Sequence, residues 1–157
     1  MTAVATIRAA ILAKLQGIAD IGKVNDFERY ADQTSALKAQ YVATIAASDQ
    51  LRGWNIRRVA TKEVFVDTGR WSAHVDWRIR GFMALNDANS SEKTFDDLIE
   101  AIRDAFRADD TLGGTILTCI DPSSNQAGIQ VIESKPVLFA GVLCHSVQLG
   151  LFTQYLL

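Results

Sequence analysis

Asn89-Ser90-Ser91-Glu92-Lys93-Thr94-Phe95-Asp96-Asp97-Leu98-Ile99-Glu100-Ala101-Ile102-Arg103-Asp104-Ala105-Phe106-Arg107 is the best-specified stretch of the chain. Phe95, Leu98, Ile99, Ile102 and Phe106 recur at helical spacing and make one apolar stripe. Asn89 with Glu92 three residues later predicts a capping box. Asp96, Asp97 and Glu100 fall toward the positive end of the helix and Arg103 and Arg107 toward the negative end, which complements the macrodipole. Lys93 with Asp97, and Glu100 with Arg103, are spaced to pair on the wet face for about 0.2–0.5 kcal/mol each. One wide stripe asks for one partner surface. Apolar-alternating segments on both sides of the helix predict that this surface is a β-sheet.

Downstream and upstream segments supply that sheet. Trp71 to Leu85 alternates cleanly. Trp71, Ala73, Val75, Trp77, Ile79, Met83 and Leu85 share one face with Gly81, and Ser72, His74, Asp76, Arg78 and Arg80 take the other. Trp54 to Val66 is strand-like, and Asp67-Thr68-Gly69 signals a turn, so 54–85 reads as a long hairpin. Val142 to about Tyr155 is a last strand with Leu143, His145, Val147, Leu149, Leu151 and Tyr155 inward. Before it, Ile129, Val131 and Ile132 begin a strand that runs past Pro136. A proline there predicts an edge or a bulge, because it cannot donate to a ladder.

The remaining segments are shorter. Val4, Ile7, Ile11, Leu15 and Ile18 mark a first helix, with Thr2 as its cap and Gly17 near its end. Lys23 to Tyr30 reads as a short strand. Leu37, Tyr41 and Ile45, spaced by four among alanines, predict a narrow-striped helix over 34–48 that Gly53 terminates. Thr115 to Ile120 reads as a short strand, and Asp109 to Gly114 as punctuation after the central helix. The predicted fold is α+β in a single domain, 1–157. It is a mostly antiparallel twisted sheet of about four to six strands packed by two main helices, with a long protruding β-hairpin.

Composition narrows the function. Apolar content of 48% and charged content of 22% are those of an ordinary soluble domain. A net charge of −2 leaves no basic footprint for specific nucleic-acid binding. Cys119 and Cys144 form no CxxC pair and read as reduced core thiols. No stretch has a secretory-signal pattern, and the longest apolar run, Val137 to Cys144, is too short to span a bilayer as a helix. No membrane partner is expected.

Little in the chain reads as chemistry. His145 beside Cys144 invites a nucleophile–base reading, but adjacent strand residues point to opposite faces. Asp26 and Glu28 share a strand face and read as a solvated edge rather than a metal or acid–base pair. No cofactor, metal or catalytic set is expected, and nothing in the residues reads as an enzyme. Positive charge concentrates on the hairpin instead. Arg57, Arg58, Lys62, Glu63, Asp67, Arg70 and Trp71 are the candidate interface residues, since an indole beside a guanidinium is a common contact pair. The hairpin tip, Thr61 to Trp71, is expected to be a contact surface.

Six runs, in order, resemble the phage tail-terminator (tail-completion) proteins of the Mu-type prophage group. They are Val24-Asn25-Asp26-Phe27-Glu28-Arg29-Tyr30, Gly53 to Arg58, Ile79 to Asp87, Ser91 to Phe95, Asp109 to Gly114 and Gly141 to His145. The resemblance implies a virion protein at the head-proximal end of the tail, assembled in the host cytoplasm. It implies a ring of itself, usually of six subunits, that ends tail-tube polymerisation. The tail-tube protein and the head-tail connector would be its partners, and DNA would cross the lumen without specific binding. It carries no catalytic residues to transfer. Another neck or tail adaptor, or a small α+β enzyme or ligand-binding domain, are the alternative readings.

Overall fold

The computed structural model describes residues 1–157. Helix α1 (Ala3–Gln16) is followed by β1 (Lys23–Asn25), α2 (Thr34–Ala39), β2 (Val42–Ile45), β3 (Ser48–Asp67) and β4 (Arg70–Ala84). A short 3-10 turn (Asp87–Asn89) leads into α3 (Ser91–Arg107), and β5 (Ile129–Phe139) and β6 (Val142–Leu156) complete the chain. The sheet order is β1-β3-β4-β6-β5, with β2 paired to the start of β3. Every pairing is antiparallel except β1 with β3. The fold is α+β with a mostly antiparallel six-stranded sheet and a long β3–β4 hairpin, as the sequence predicts.

Both long helices lie on one face of the sheet. Ile7, Ile11 and Leu15 of α1, and Phe95, Leu98, Ile99, Ile102 and Phe106 of α3, are all buried. They meet Trp54 and Ile56 of β3, Val75, Trp77, Ile79 and Met83 of β4, and Val147, Leu149 and Leu151 of β6 in one cluster. Each such side chain contributes about 1.5–3 kcal/mol by leaving water. Trp54 is the hub. Its indole N–H donates to the Ile21 carbonyl at 2.7 Å, and its ring stacks on Phe95 with centroids 5.9 Å apart. Gly81 is its cross-strand neighbour, and a Cβ there would sit 2.2 Å from an indole carbon. Glycine interrupts the apolar face of β4 to leave a slot for that ring.

Several local expectations are corrected. The capping box does not form: Ser90 takes the cap position in a left-handed conformation (φ 54) with no side-chain cap bond. The 3-10 turn runs straight into the helix, so carbonyls satisfy the first N–H groups. Ser91 donates to Asn86 O at 3.2 Å and Lys93 to Ser90 O at 3.0 Å. Asn89 lies inside that turn and cannot cap. Glu100 and Arg103 pair at 2.8 Å, and Asp104 pairs with Arg107, but Lys93 and Asp97 do not meet.

The predicted helix over 34–48 stops at Ala39. Val42 to Ile45 instead form β2, which turns through Ala46 and Ala47, both left-handed, into β3. Gly53 therefore lies inside β3, which begins at Ser48. Tyr41 explains the change. Its ring is buried edge-on to Phe82 and Phe139, and it fills the space a Cβ at Gly53 would need, 2.6 Å away. With Leu51, Phe82 and Cys144 it forms a small second cluster that covers one end of the other sheet face. This contact outweighs the modest helix propensity of the alanines.

Three further corrections are smaller. The strand predicted over 23–30 is only Lys23–Asn25, parallel to β3. Thr115 to Ile120 makes isolated bridges, Thr118 with Gln154 and Ile120 with Ala127, rather than a strand. On β6, Leu143 is exposed, while Thr153 lies inward and accepts from the Trp77 indole N–H at 2.9 Å.

Asp109 ties α1 to the end of α3. It accepts from Lys14 Nζ at 3.1 Å, and from the Thr111 hydroxyl and the Gly113 N–H at 2.9 and 2.7 Å. The Lys14 ammonium, then the Thr111 hydroxyl and Gly113 N–H, hold its carboxyl well below the usual carboxylate range. A depressed carboxyl contributes stability above its unfolded pKa and loses it as pH falls. The melting-temperature gap between the wild type and Asp109→Asn should therefore shrink as pH drops from about 7 to about 2. A constant gap would refute the linkage. In the core, Phe95→Ala and Ile102→Ala should each cost about 2–5 kcal/mol in chemical denaturation. Gly81→Ala should cost about 1–3 kcal/mol by pushing on the Trp54 ring. Wild-type midpoints for all three would contradict the helix and indole placements.

Candidate functional site

The hairpin leaves a long strand edge uncovered. β1 accompanies β3 only as far as Asn25 opposite Asn55, yet β3 continues to Asp67 with β4 as its sole neighbour. Arg8 Nη1 takes the Ile56 carbonyl at 3.3 Å, and beyond it the edge is open. The opposite edge of the sheet is β5, which pairs only with β6. Both edges carry exposed apolar residues: Val59, Phe65 and Val66 on β3, and Val131, Ile132 and Leu138 on β5. Both are also irregular. β3 shifts register between Arg58 and Ala60, β5 between Val131 and Glu133, and Pro136 sits in β5. The edge expected from that proline is present.

The seven interface residues expected from sequence all lie on this hairpin, but not on one surface. Residues paired directly across an antiparallel ladder share a face. Arg57 pairs with Arg78 and Lys62 with His74, which puts both on the polar face. Arg58 pairs with Trp77 and Glu63 with Ala73, which puts those two on the helix-bearing face. There the hairpin extends past the helices, and both residues are exposed. On the polar face Glu28 joins Arg57 at 3.5 Å and Arg80 at 3.3 Å. Asp26 is not part of that group; its carbonyl accepts from Arg8 at 2.6 Å.

The turn is closed on itself. Arg70 Nε donates to both Asp67 carboxylate oxygens at 2.8 and 3.0 Å, and Gly69 supplies the left-handed residue (φ 82). Trp71 leans edge-on against Phe65 with centroids 5.6 Å apart and is 47% exposed. It stays on the face of Ala73 and Trp77 but lies past the helices, so it is an exposed residue beside the turn rather than one that closes the core. β6 follows β4 as far as Leu156 opposite Ser72, and the Leu157 N–H still reaches the Trp71 carbonyl at 3.0 Å, so the turn projects past the ladder.

One polar arrangement escaped sequence reasoning. Ser91 Oγ accepts from the Asn86 N–H at 2.8 Å and lies 2.7 Å from His145 Nε2, whose ring stacks on Phe95. Serine at a helix start and histidine on a strand 54 residues later share no sequence signal. No carboxylate hydrogen-bonds to that ring, and the arrangement fastens the start of α3 to β6. Cys144 points to the other face, as alternation requires, and burial pushes its thiol up to about 11. Both cysteines are buried and unpaired. No three His, Cys, Asp or Glu side chains come together as a metal set, and no helix is long and apolar enough to cross a membrane.

No protein-family model and no curated protein matches this chain. The open edges and the projecting turn are thus the features on which a functional reading rests. Exchanging the turn charges, Asp67→Lys with Arg70→Glu, keeps opposite charges facing each other on an exposed surface. The double variant should melt as the wild type does in a thermal scan. Loss of the cooperative transition would place the turn in the fold rather than on the surface.

Proposed function

We propose that this chain is the subunit of a closed ring at the head-proximal end of a phage or phage-like tail. In this reading it ends tail-tube polymerisation and offers the head-tail connector a surface, and DNA crosses the lumen without specific binding. The resemblance to Mu-type tail-terminator proteins raises the idea. The observation that carries it is the pair of open edges.

The strands β3, β4, β6 and β5 are successive antiparallel neighbours, an even number, so β3 and β5 run in opposite directions. Rotating a copy about an axis along the strands brings its β5 beside β3 of the first. The two then meet antiparallel, and the same contact repeats around the axis. That is a heterologous contact able to close, made by strand addition at an exposed edge. A two-fold dimer would use one edge against itself and leave the other open. The ring would number six subunits, as the resemblance implies, and the projecting turn would reach the tube or a neighbour.

The alternative of a small enzyme or ligand-binding domain has one observation in its favour, Ser91 beside His145 in a cleft of about 360 Å³. The Asn86 N–H takes one lone pair of the serine oxygen, and a base with no carboxylate to orient it is a weak activator. The ring reading stands ahead of it.

Edge charges test the ring directly. Val59→Lys disables the β3 edge and Ile132→Lys the β5 edge, both at exposed positions. Purified tails should carry a closed ring of the wild type, and neither variant should cap them. Mixed together, the two variants should form a 1:1 heterodimer by light scattering, because each retains the edge the other lacks. A homodimer of either variant, or tails of normal length capped by one, would sink the proposal.

A further inference from the structure

The hairpin-tip end of the sheet carries a row of apolar side chains that the core does not use. Phe65 and Trp71 pair across β3 and β4 with their rings in edge contact, and the Leu157 N–H donates to the Trp71 carbonyl at 3.0 Å. These three stand side by side across three strand ends, flanked by Val66 and Leu156. All five are between 47% and 60% exposed. Single apolar residues scattered over a surface need no explanation, but a contiguous group marks a contact site. The charged residues of the turn, Asp67 and Arg70, hold each other, so the turn presents no net charge. A polyanion or an anionic lipid surface finds no counter-charge there.

Area decides what kind of partner the row fits. Five side chains exposed to this extent offer on the order of 500 Å². A stable two-protein contact takes about 800 Å² from each partner. One copy alone therefore falls short of a lasting dimer through this end. In the ring proposed above the axis lies along the strands, so every copy delivers its row to the same rim and the contacts add by avidity. The partner that fits is a second protein ring, coaxial with the first. At the opposite end the turns are Ala46-Ala47 and Ala140-Gly141, and the exposed large apolar side chains beside them are one cross-strand pair, Leu138 and Leu143.

We infer that this apolar rim is the surface that seats on the end of the tail tube, an inference that rests on the ring reading. The open end of a polymer exposes what its inner subunits bury against one another, and such obligate contacts are apolar. A ring that ends polymerisation occupies that surface in place of the next tube layer. Docking to a connector joins two finished particles, a contact of the more polar kind, and the less apolar opposite end suits it.

Phe65→Ser with Trp71→Ser removes both rings at exposed positions. Where that chain loses its cooperative melt, Val66→Lys alone is used in its place. Edge pairing is read first: with both serines added, the Val59→Lys and Ile132→Lys chains should still form their 1:1 heterodimer by light scattering. Purified tail tubes are then titrated with the chain carrying the serines and intact edges, and capped ends are counted by electron microscopy. Half-capping should need at least about tenfold more of this variant than of the wild type, the scale of lost aromatic anchors. Leu143→Ser, at the opposite end, should cap as the wild type does. Half-capping by the serine variant at the wild-type concentration overturns the inference alone, as does an equal loss with Leu143→Ser. A heterodimer lost only when the serines are present places the row in the contact between neighbours and overturns it too. So does wild-type protein that sediments with phosphatidylcholine vesicles unless the serines are present, which assigns the row to a lipid surface. No heterodimer from the edge variants without the serines strikes the ring reading, and this inference with it.

Discussion

The indole of Trp54 lies in the slot left by Gly81 and beneath the ring of Phe95, and much of the architecture depends on that stack. It fixes three things together. The β3–β4 register is set, because only the position opposite Trp54 lacks a side chain. The height of α3 over the sheet is set by one ring thickness. The turn after α1 is anchored, because the indole N–H consumes the Ile21 carbonyl. A slip of one residue in β3 would send the indole to the polar face and strand that carbonyl. Tryptophan suits this place because it combines a large apolar area with one donor that needs a buried partner.

That stack commits one face of the sheet to both long helices. The other face receives only the small cover of α2 and β2 around Tyr41 and Phe82. Its remainder is a polar surface of Arg57, Arg78, Arg80 and Gln148, cross-linked by Glu28 on one side and by the Arg78–Gln148 bond at 3.3 Å on the other. The protein is thus a two-layer domain with one apolar interface and both sheet edges uncovered. Layers of this kind hide a face completely but do nothing for the edges, which lie in the plane of the sheet.

Sequence reasoning read what periodicity encodes. The α3 stripe, the alternation of β4 and β6, the Asp67-Thr68-Gly69 turn and the edge character of the Pro136 strand were all legible, because each repeats with a fixed period or carries fixed turn chemistry. What failed was set by contacts distant in sequence. Tyr41 looked helical from its spacing to Leu37 and Ile45, and its place was decided by Gly53, Phe82 and Phe139. Asn89 and Glu92 matched a capping pattern, and a preceding 3-10 turn removed the need for one. At the candidate site, the hairpin and its charged residues were legible. Which of them share a face was not, because alternation separates Arg57 from Arg58 while a bulge at Val59, which no local signal marks, brings Lys62 rather than Glu63 to the face of Arg57. The contact between Ser91 and His145 was equally silent, although His145 itself read as inward, since which polar side chains meet depends on how distant elements pack.

The two open edges are guarded in a way that bears on what they could accept. Flat, regular edges invite any strand. Here each edge is broken by a register shift, and charges flank the break: Arg57 and Arg58 on β3, Glu133 and Lys135 on β5. Such bulges raise local twist and leave one residue out of the ladder. An arbitrary extended chain pairs poorly with a twisted, interrupted edge that also presents charge. A strand bearing its own bulge and the opposite charge order pairs well. The physical devices that keep a lone chain from aggregating therefore also narrow what its edges can accept.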